Sequence, residues 1–88
     1  MGNDYLWYNF IKEWLNMKMW YERIRELRED LPEKKSQSEV AAALKITQRK
    51  LSYIETGKTE PSIQDLICLC KYYCTSADYI LGLKDSKE

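Results

Sequence analysis

The sequence predicts an all-α protein, and three observations support this. Apolar residues recur at spacings of three and four, as they do along one face of a helix. Four short stretches begin with a Ser or Thr that suits a helix N-cap. The hairpin dipeptides Asn-Gly and Asp-Gly do not occur, nor does any sustained alternation of apolar and polar residues. With 88 residues, 44% hydrophobic and 32% charged, we expect one globular domain with a small core.

Residues 1–16 are predicted to form an amphipathic, aromatic-rich N-terminal arm. Its helix begins near Asp4 and is either continuous with the next helix or broken at Asn16. The apolar side chains that recur at helical spacing are Trp7, Phe10, Ile11, Trp14, Met17 and Tyr21. This face needs a surface to cover it, which is the flank of its own domain, a second copy, another protein or a membrane interface. The membrane is least favoured, because the polar face has no excess of cations.

The remaining helices are predicted from caps and spacing. Three of them begin with Ser or Thr followed three residues later by an acid, which is the capping-box pattern. These pairs are Ser36–Glu39, Ser62–Asp65 and Thr75–Asp78. The predicted helices cover residues 17–30, 36–44, 47–55, 62–73 and 75–82, and residues 84–88 form a polar, solvated tail.

The helix that follows Thr47 departs from this rule. Its first turn contains Gln48, Arg49 and Lys50 where the helix dipole favours acids, at a cost of about 0.3–1 kcal/mol. Loose selection on surface charge would explain this placement. The alternative is that these side chains bind an anion from another molecule.

The charge distribution favours the second explanation. The chain has 14 cationic and 14 anionic residues, so its net charge is zero. Residues 34–58, however, contain six Lys or Arg against two Glu, and both flanking segments have a net charge of −2. A basic segment between acidic ones indicates a local surface for an anionic partner.

Only Lys45 and Ile46 separate the helix at 36–44 from Thr47, so the two helices must cross closely. Small side chains at Ala41, Ala42 and Ala43 permit that approach. A small core is predicted from Val40, Leu44, Ile46, Leu51 and Ile54. This is the geometry of a helix-turn-helix motif, in which the second helix faces outward.

From Ile24 to Leu83 the sequence resembles the phage repressor/Cro-like helix-turn-helix regulators, also called the xenobiotic-response-element type. The motif is "QSEVAAALKITQRKLSYIET" at residues 37–56, and "ETGKTEPS" matches the family signature Glu-x-Gly-Lys-x-x-Pro-Ser. Upstream "LRE" and downstream "SADYILG" also match. The resemblance implies a five-helix lambda-repressor-like DNA-binding domain at residues 17–83, with the arm as an additional helical segment.

The resemblance also implies the roles of single residues. The helix after Thr47 becomes the recognition helix, and Arg28 with Glu55 becomes a structural ion pair. The expected DNA-binding residues are Gln37, Thr47, Gln48, Arg49, Lys50, Ser52, Tyr53 and Lys58. Two departures from the family are the charged loop "DLPEKKSQ" and Lys45, which replaces the usual turn glycine at a cost of about 1 kcal/mol.

These features predict a sequence-specific regulator, acting as a repressor on double-stranded DNA in the cytoplasm and associated with the nucleoid. A homodimer is expected, with the aromatic face of the arm lying beside the last helix, around Tyr79, Ile80 and Leu83. The alternative is an antitoxin-type DNA-binding protein whose arm binds a partner protein.

Other classes of protein have little support in the sequence. No apolar run approaches the ~20 residues of a membrane span. The chain has no His, no Gly-rich phosphate loop and no clustered carboxylates, so no enzyme, cofactor or metal site is predicted. We expect Cys68, Cys70 and Cys74 to be small buried hydrophobic residues in a reducing compartment.

Overall fold

The computed structural model describes the backbone of residues 2–87 and the side chains of residues 6–87. Within these residues the chain forms α-helices and no strand, which confirms the all-α prediction. The helices are α1 (Gly2–Asn16), α2 (Trp20–Glu29), α3 (Gln37–Leu44), α4 (Gln48–Glu55), α5 (Ile63–Tyr73) and α6 (Ala77–Ile80). Met1 and Glu88, the outer ends of the predicted arm and tail, lie outside the described residues.

A break separates α1 from α2, so the two are not one continuous helix. The predicted start of α2 at Met17 is three residues early. The Met19 N–H donates a hydrogen bond of 2.9 Å to the carboxylate of Glu22, and this contact fixes the first turn of α2. The chain therefore changes direction between Asn16 and Trp20.

Capping boxes begin α3 and α5, as the sequence predicts. The Ser36 hydroxyl accepts the Glu39 N–H at 3.1 Å, and the Glu39 carboxylate accepts the Ser36 N–H at 3.2 Å. Ser62 and Asp65 make the same exchange at 3.0 and 3.1 Å. Each box satisfies backbone donors that have no partner inside the helix.

The predicted cap of the last helix is wrong by one residue, and the helix ends two residues earlier than predicted. Ser76, not Thr75, caps α6, and its hydroxyl accepts the N–H of Tyr79 at 3.1 Å. The Thr75 hydroxyl instead donates to the carbonyl of Lys87 at 2.9 Å, and the Ser76 N–H donates to the same carbonyl at 3.1 Å. The C-terminal tail is exposed to solvent, yet these bonds fix it against the domain.

Two adjoining clusters form the core of α2–α6. The larger joins α2, α4, α5 and α6 and comprises Ile24, Leu27, Ile54, Leu69, Tyr79 and Ile80. The smaller joins α3 and α4 through Val40, Ala41 and Leu51. The side chains of Leu44, Ile46 and Tyr73 pack against both clusters, so the helix-turn-helix pair is part of the domain core.

Among residues 6–16 of α1, none belongs to either cluster, and most of the large apolar side chains are exposed. Those exposed by more than half are Leu6, Trp7, Tyr8, Phe10, Trp14 and Leu15. The rings of Trp7 and Phe10 stack on each other with centroids 5.8 Å apart. The molecule is elongated, 53 × 25 × 21 Å. None of the helices in the described part of the chain is long and apolar enough to cross a membrane.

The expectation of three buried cysteines is wrong for Cys74. This residue ends α5 in the left-handed conformation, with φ of 52°, and its side chain is exposed. Cys68 and Cys70 are half-buried, and burial raises the pKa of the Cys70 thiol.

Candidate nucleic-acid interface

The turn between α3 and α4 sets the direction of α4. Lys45 lies in the left-handed region, with φ of 59° and ψ of 39°. This is the turn position at which the family that the sequence resembles usually has glycine. The Lys45 N–H donates to the carbonyl of Ala42 at 3.2 Å and the Ile46 N–H to that of Ala41 at 3.0 Å. Of the three alanines only Ala41 is buried between the helices, so the expected packing role of Ala42 and Ala43 is wrong.

The first turn of α4 is capped without any acidic residue. The hydroxyl of Thr47 accepts the backbone N–H of Lys50 at 3.0 Å. Gln48 and Arg49 follow with exposed side chains, and Thr47 is exposed as well. The positive end of this helix dipole is therefore open to solvent, where it attracts an anion.

Lys50 is the exception among these first-turn residues. Its ammonium lies 3.0 Å from Oδ2 of Asp65 in the first turn of α5, and its side chain is half-exposed. This pairing directs the Lys50 side chain towards α5 and engages its charge within the domain. Burial tends to raise the pKa of Asp65, but the hydrogen bonds from Lys50 and Ser62 outweigh it, and the pKa is lowered.

The far end of α4 is fixed by a bidentate ion pair. The Nε and Nη2 of Arg28 each donate to a carboxylate oxygen of Glu55 at 2.9 Å. Only 1% of the Glu55 side chain is exposed. Arg28 also donates from Nη1 to the carbonyl of Lys35 at 3.2 Å, which attaches the loop before α3. The hydrogen bonds that the Arg28 guanidinium donates to Glu55 raise its pKa.

Gln37 completes this network from the start of α3. Its Nε2 donates to Oε1 of Glu55 at 2.9 Å, so Gln37 braces the end of α4. Tyr73 lies beside the pair, and its buried hydroxyl has no hydrogen-bond partner within the part of the chain that the structure describes. Burial, followed by the negative charge of Glu55, raises the pKa of Tyr73. α2, α3, α4 and α5 thus meet at one buried polar site.

The chain reverses after α4 at Gly57, where φ is +80°. A Cβ at this position would lie 2.7 Å from Cδ1 of Tyr21, so neither the backbone conformation nor the available space suits another residue. The N–H groups of Lys58 and Thr59 then donate to the carbonyl of Tyr53 at 2.9 and 3.3 Å. Lys58 is exposed beside α4 as a result, and Ser52 and Tyr53 are half-buried on that helix.

Residues that the sequence reading missed also shape this surface. The sequence indicates Asp65 as a capping acid, but not as the partner of Lys50. Its distance of fifteen positions along the chain gives no periodic signal for such a contact. The sequence pattern indicates no role for Tyr73, because helical spacing alone does not reveal a buried hydroxyl.

Together, the crossed helices α3 and α4, the exposed first turn of α4 and the buried brace define a helix-turn-helix domain. A family model described as a helix-turn-helix domain matches residues 22–80, more than half of the chain. The chain belongs to this family.

Two solved structures are similar to it. One is the crystal structure of the P22 c2 repressor protein in complex with a synthetic operator. It is 28% identical, covers 76% of this chain and 98% of that chain, and gives a TM-score of 0.69. The other is the NMR structure of the DNA-binding domain of the P22 c2 repressor. It is 29% identical in sequence, and the match covers 81% of this chain and 93% of that chain with a TM-score of 0.68. No curated protein sequence matches the chain significantly.

These similarities confirm the predicted resemblance to phage repressors. They also confirm the predicted fold class, in which α2–α6 form the five-helix repressor-like domain and α1 is additional.

Proposed function

We propose that this protein is a sequence-specific DNA-binding transcriptional repressor that reads the major groove with α4. The observation that carries the proposal is the first turn of α4, where Gln48 and Arg49 are exposed and no acid is present. The similar P22 c2 repressor is seen bound to an operator, which supports DNA as the partner. Occupying an operator is a role that needs no catalytic group.

The chemistry of each side chain suggests its role at the groove. The Arg49 guanidinium can donate two hydrogen bonds to O6 and N7 of guanine, and the Gln48 amide pairs with N6 and N7 of adenine. Thr47, Ser52 and Lys58 suit the phosphate backbone. Gln37 has one amide hydrogen left for a phosphate after it has bound Glu55. Lys50 contributes mainly through its pair with Asp65, and reaches phosphate only if that pair opens.

The same proposal includes a homodimer formed through α1. Large aromatic side chains bury about 150–250 Å² each, so the exposed apolar residues of α1 supply an area on the order of the ~800 Å² per partner of a standard interface. Two copies would place their recognition helices at half-sites about 34–36 Å apart. Tyr79 and Ile80, which the sequence analysis predicts at this contact, are buried in the core and unavailable. Leu83 is 73% exposed and remains a candidate.

A second function is favoured by the same exposure of α1. An antitoxin-type protein would bind DNA with α4 and a partner protein with the apolar face that contains Trp7, Phe10 and Trp14. The two proposals differ in what covers α1. A chain that self-associates at micromolar concentration supports the homodimer, and a strictly monomeric chain favours a different partner protein.

The central experiment selects bound sites from a pool of random duplex DNA. A repressor of this type is expected to enrich a short motif with two-fold symmetry. Arg49→Glu is expected to abolish enrichment with unchanged helical content by circular dichroism, while the same charge change at Lys71 on α5 serves as the control. A parent chain that enriches no motif contradicts the proposed function.

A matched experiment addresses the dimer. Sedimentation equilibrium of the parent is compared with that of Trp7→Glu and Trp14→Glu, which place a charge on the exposed stripe. We expect both variants to remain folded monomers that bind the selected duplex much more weakly. Lys12→Glu on the same helix is the control for the change in charge. A monomeric parent contradicts the homodimer.

A further inference from the structure

Three side chains at the outer edge of α4 form a contiguous group, which we call the Tyr53 cluster. The Nε of Arg49 donates a hydrogen bond of 3.1 Å to the Tyr53 hydroxyl. The Arg49 guanidinium carbon lies 5.5 Å from the centroid of the Tyr53 ring, and the ammonium of Lys58 lies 5.4 Å from it. Two cations from different parts of the chain thus share one aromatic ring, whose electron-rich face attracts both.

The backbone holds the cluster together. Arg49 and Tyr53 lie four positions apart on α4 and so face the same side of the helix. Lys58 reaches the ring because the chain reverses at Gly57 and its own N–H donates to the Tyr53 carbonyl at 2.9 Å. Tyr53 is half-buried, whereas both cations are exposed. The ring is therefore the fixed member, and the two long side chains are ordered against it.

The hydrogen bond to Tyr53 uses only one edge of the Arg49 guanidinium. Its Nε is taken, and its two Nη groups make no ion pair with any residue from 6 to 87. Those two groups form an edge that can bind O6 and N7 of guanine side by side. A flexible arginine must lose rotamer freedom to adopt that orientation on binding, and a side chain already held by its Nε loses less.

We propose that Tyr53 is a positioning residue that orients Arg49 for a guanine in the major groove, with Lys58 holding the ring from the loop. This inference rests on the proposed function and adds to it. Tyr53 acts through Arg49 and not by its own contact with a base. The base that depends on Tyr53 is therefore the guanine that Arg49 reads.

Tyr53→Phe tests this, because it removes the hydroxyl and keeps the ring. Selection with Arg49→Ala first identifies the guanine that disappears from the parent motif. The two probes are the duplex selected by the parent and a copy of that duplex in which this guanine is changed to adenine. We expect Tyr53→Phe to reduce the preference for guanine by about fivefold or more. Affinity for a mixed-sequence duplex and its salt dependence should stay as in the parent, since the phosphate contacts remain.

The double variant distinguishes positioning from direct contact. In the Arg49→Ala background, Tyr53→Phe should cause no further loss of base preference, because the side chain through which it acts is gone. Additive losses would overturn the inference, as would a Tyr53→Phe variant that reads guanine like the parent. Failure of the proposed function is a different result, since the parent would then select no motif at all and the inference would fail with it.

Discussion

The domain α2–α6 and helix α1 differ in the exposure of their apolar side chains. In the domain, Ile24, Leu51 and Ile54 are completely buried, and the buried acid Glu55 is bound by Arg28 and Gln37. In α1, both Trp7 and Trp14 are more than half exposed. The domain thus closes its own core without α1. The apolar stripe of α1 therefore stabilises the protein only by contacting a further surface. Four measurements test this contrast.

The largest effect is expected at the buried ion pair. Glu55→Ala leaves the charge of Arg28 without its partner and removes the acceptor of Gln37. Loss of one side of a buried pair costs about 3–5 kcal/mol, so chemical denaturation should show a loss of that size. DNA binding should fall only as the folded fraction falls.

Glu60→Ala is the control for this variant, since Glu60 is exposed. A Glu55→Ala variant that unfolds like the parent but fails to bind DNA would place Glu55 in the contact surface. It would also remove the main evidence that the domain is stabilised from within.

The two left-handed glycines give the next contrast. Gly57→Ala combines a strained backbone with a Cβ 2.7 Å from the ring of Tyr21 in the domain. At Gly82 the nearest atom is the flexible thioether of Met17, 3.0 Å away at the junction with α1. We expect Gly57→Ala to cost about 2 kcal/mol or more, and Gly82→Ala about 1 kcal/mol, the backbone strain alone. Equal losses in thermal denaturation would mean that Tyr21 moves as readily as Met17.

A smaller, pH-dependent effect is expected from Asp65. Its pKa is lowered in the folded protein, so its charged form stabilises the fold above the ordinary value of about 3.9, and this contribution is lost as the pH falls below that value. The free energy of unfolding of the parent should exceed that of Asp65→Asn by less than about 1 kcal/mol at pH 6, because Lys50 is half-exposed. The difference should shrink at pH 2.5 in urea unfolding curves. A difference independent of pH would assign the effect to capping alone.

The smallest effect is expected in α1. Trp14→Ala should change the free energy of unfolding by no more than about 0.5 kcal/mol, because the side chain is 53% exposed. Leu69→Ala in the core is the matched comparison, at about 2–5 kcal/mol. Both are measured at low protein concentration, so that self-association does not contribute. A loss of 2 kcal/mol from Trp14→Ala would show that α1 packs on its own domain.

Local signals in the sequence predict most of this fold. Ser36 and Ser62 begin helices because the capping box lies within four residues, and the positions of Val40, Leu51 and Ile54 follow from helical spacing. The left-handed backbone conformation at Lys45 also agrees with the turn that the helix-turn-helix motif predicts at this position.

What the sequence does not reveal depends on contacts between distant residues. Thr75 and Ser76 are both good caps, and the choice between them depends on the Lys87 carbonyl, which engages the Thr75 hydroxyl. The direction of Lys50 depends on Asp65 in another helix. For the candidate interface, the pattern indicates which helix is exposed, but not which of its cations already has a partner.

The elongated shape has a consequence for how the protein diffuses. A compact chain of 88 residues has an expected radius of gyration of about 12 Å, whereas the value here is 15.1 Å. A single copy therefore has greater friction in solution than a sphere of its 10.5 kDa mass and leaves a gel-filtration column early. An apparent mass calibrated with spherical standards would mimic self-association. Light scattering and equilibrium sedimentation report mass independently of shape, so they separate an extended monomer from a true pair.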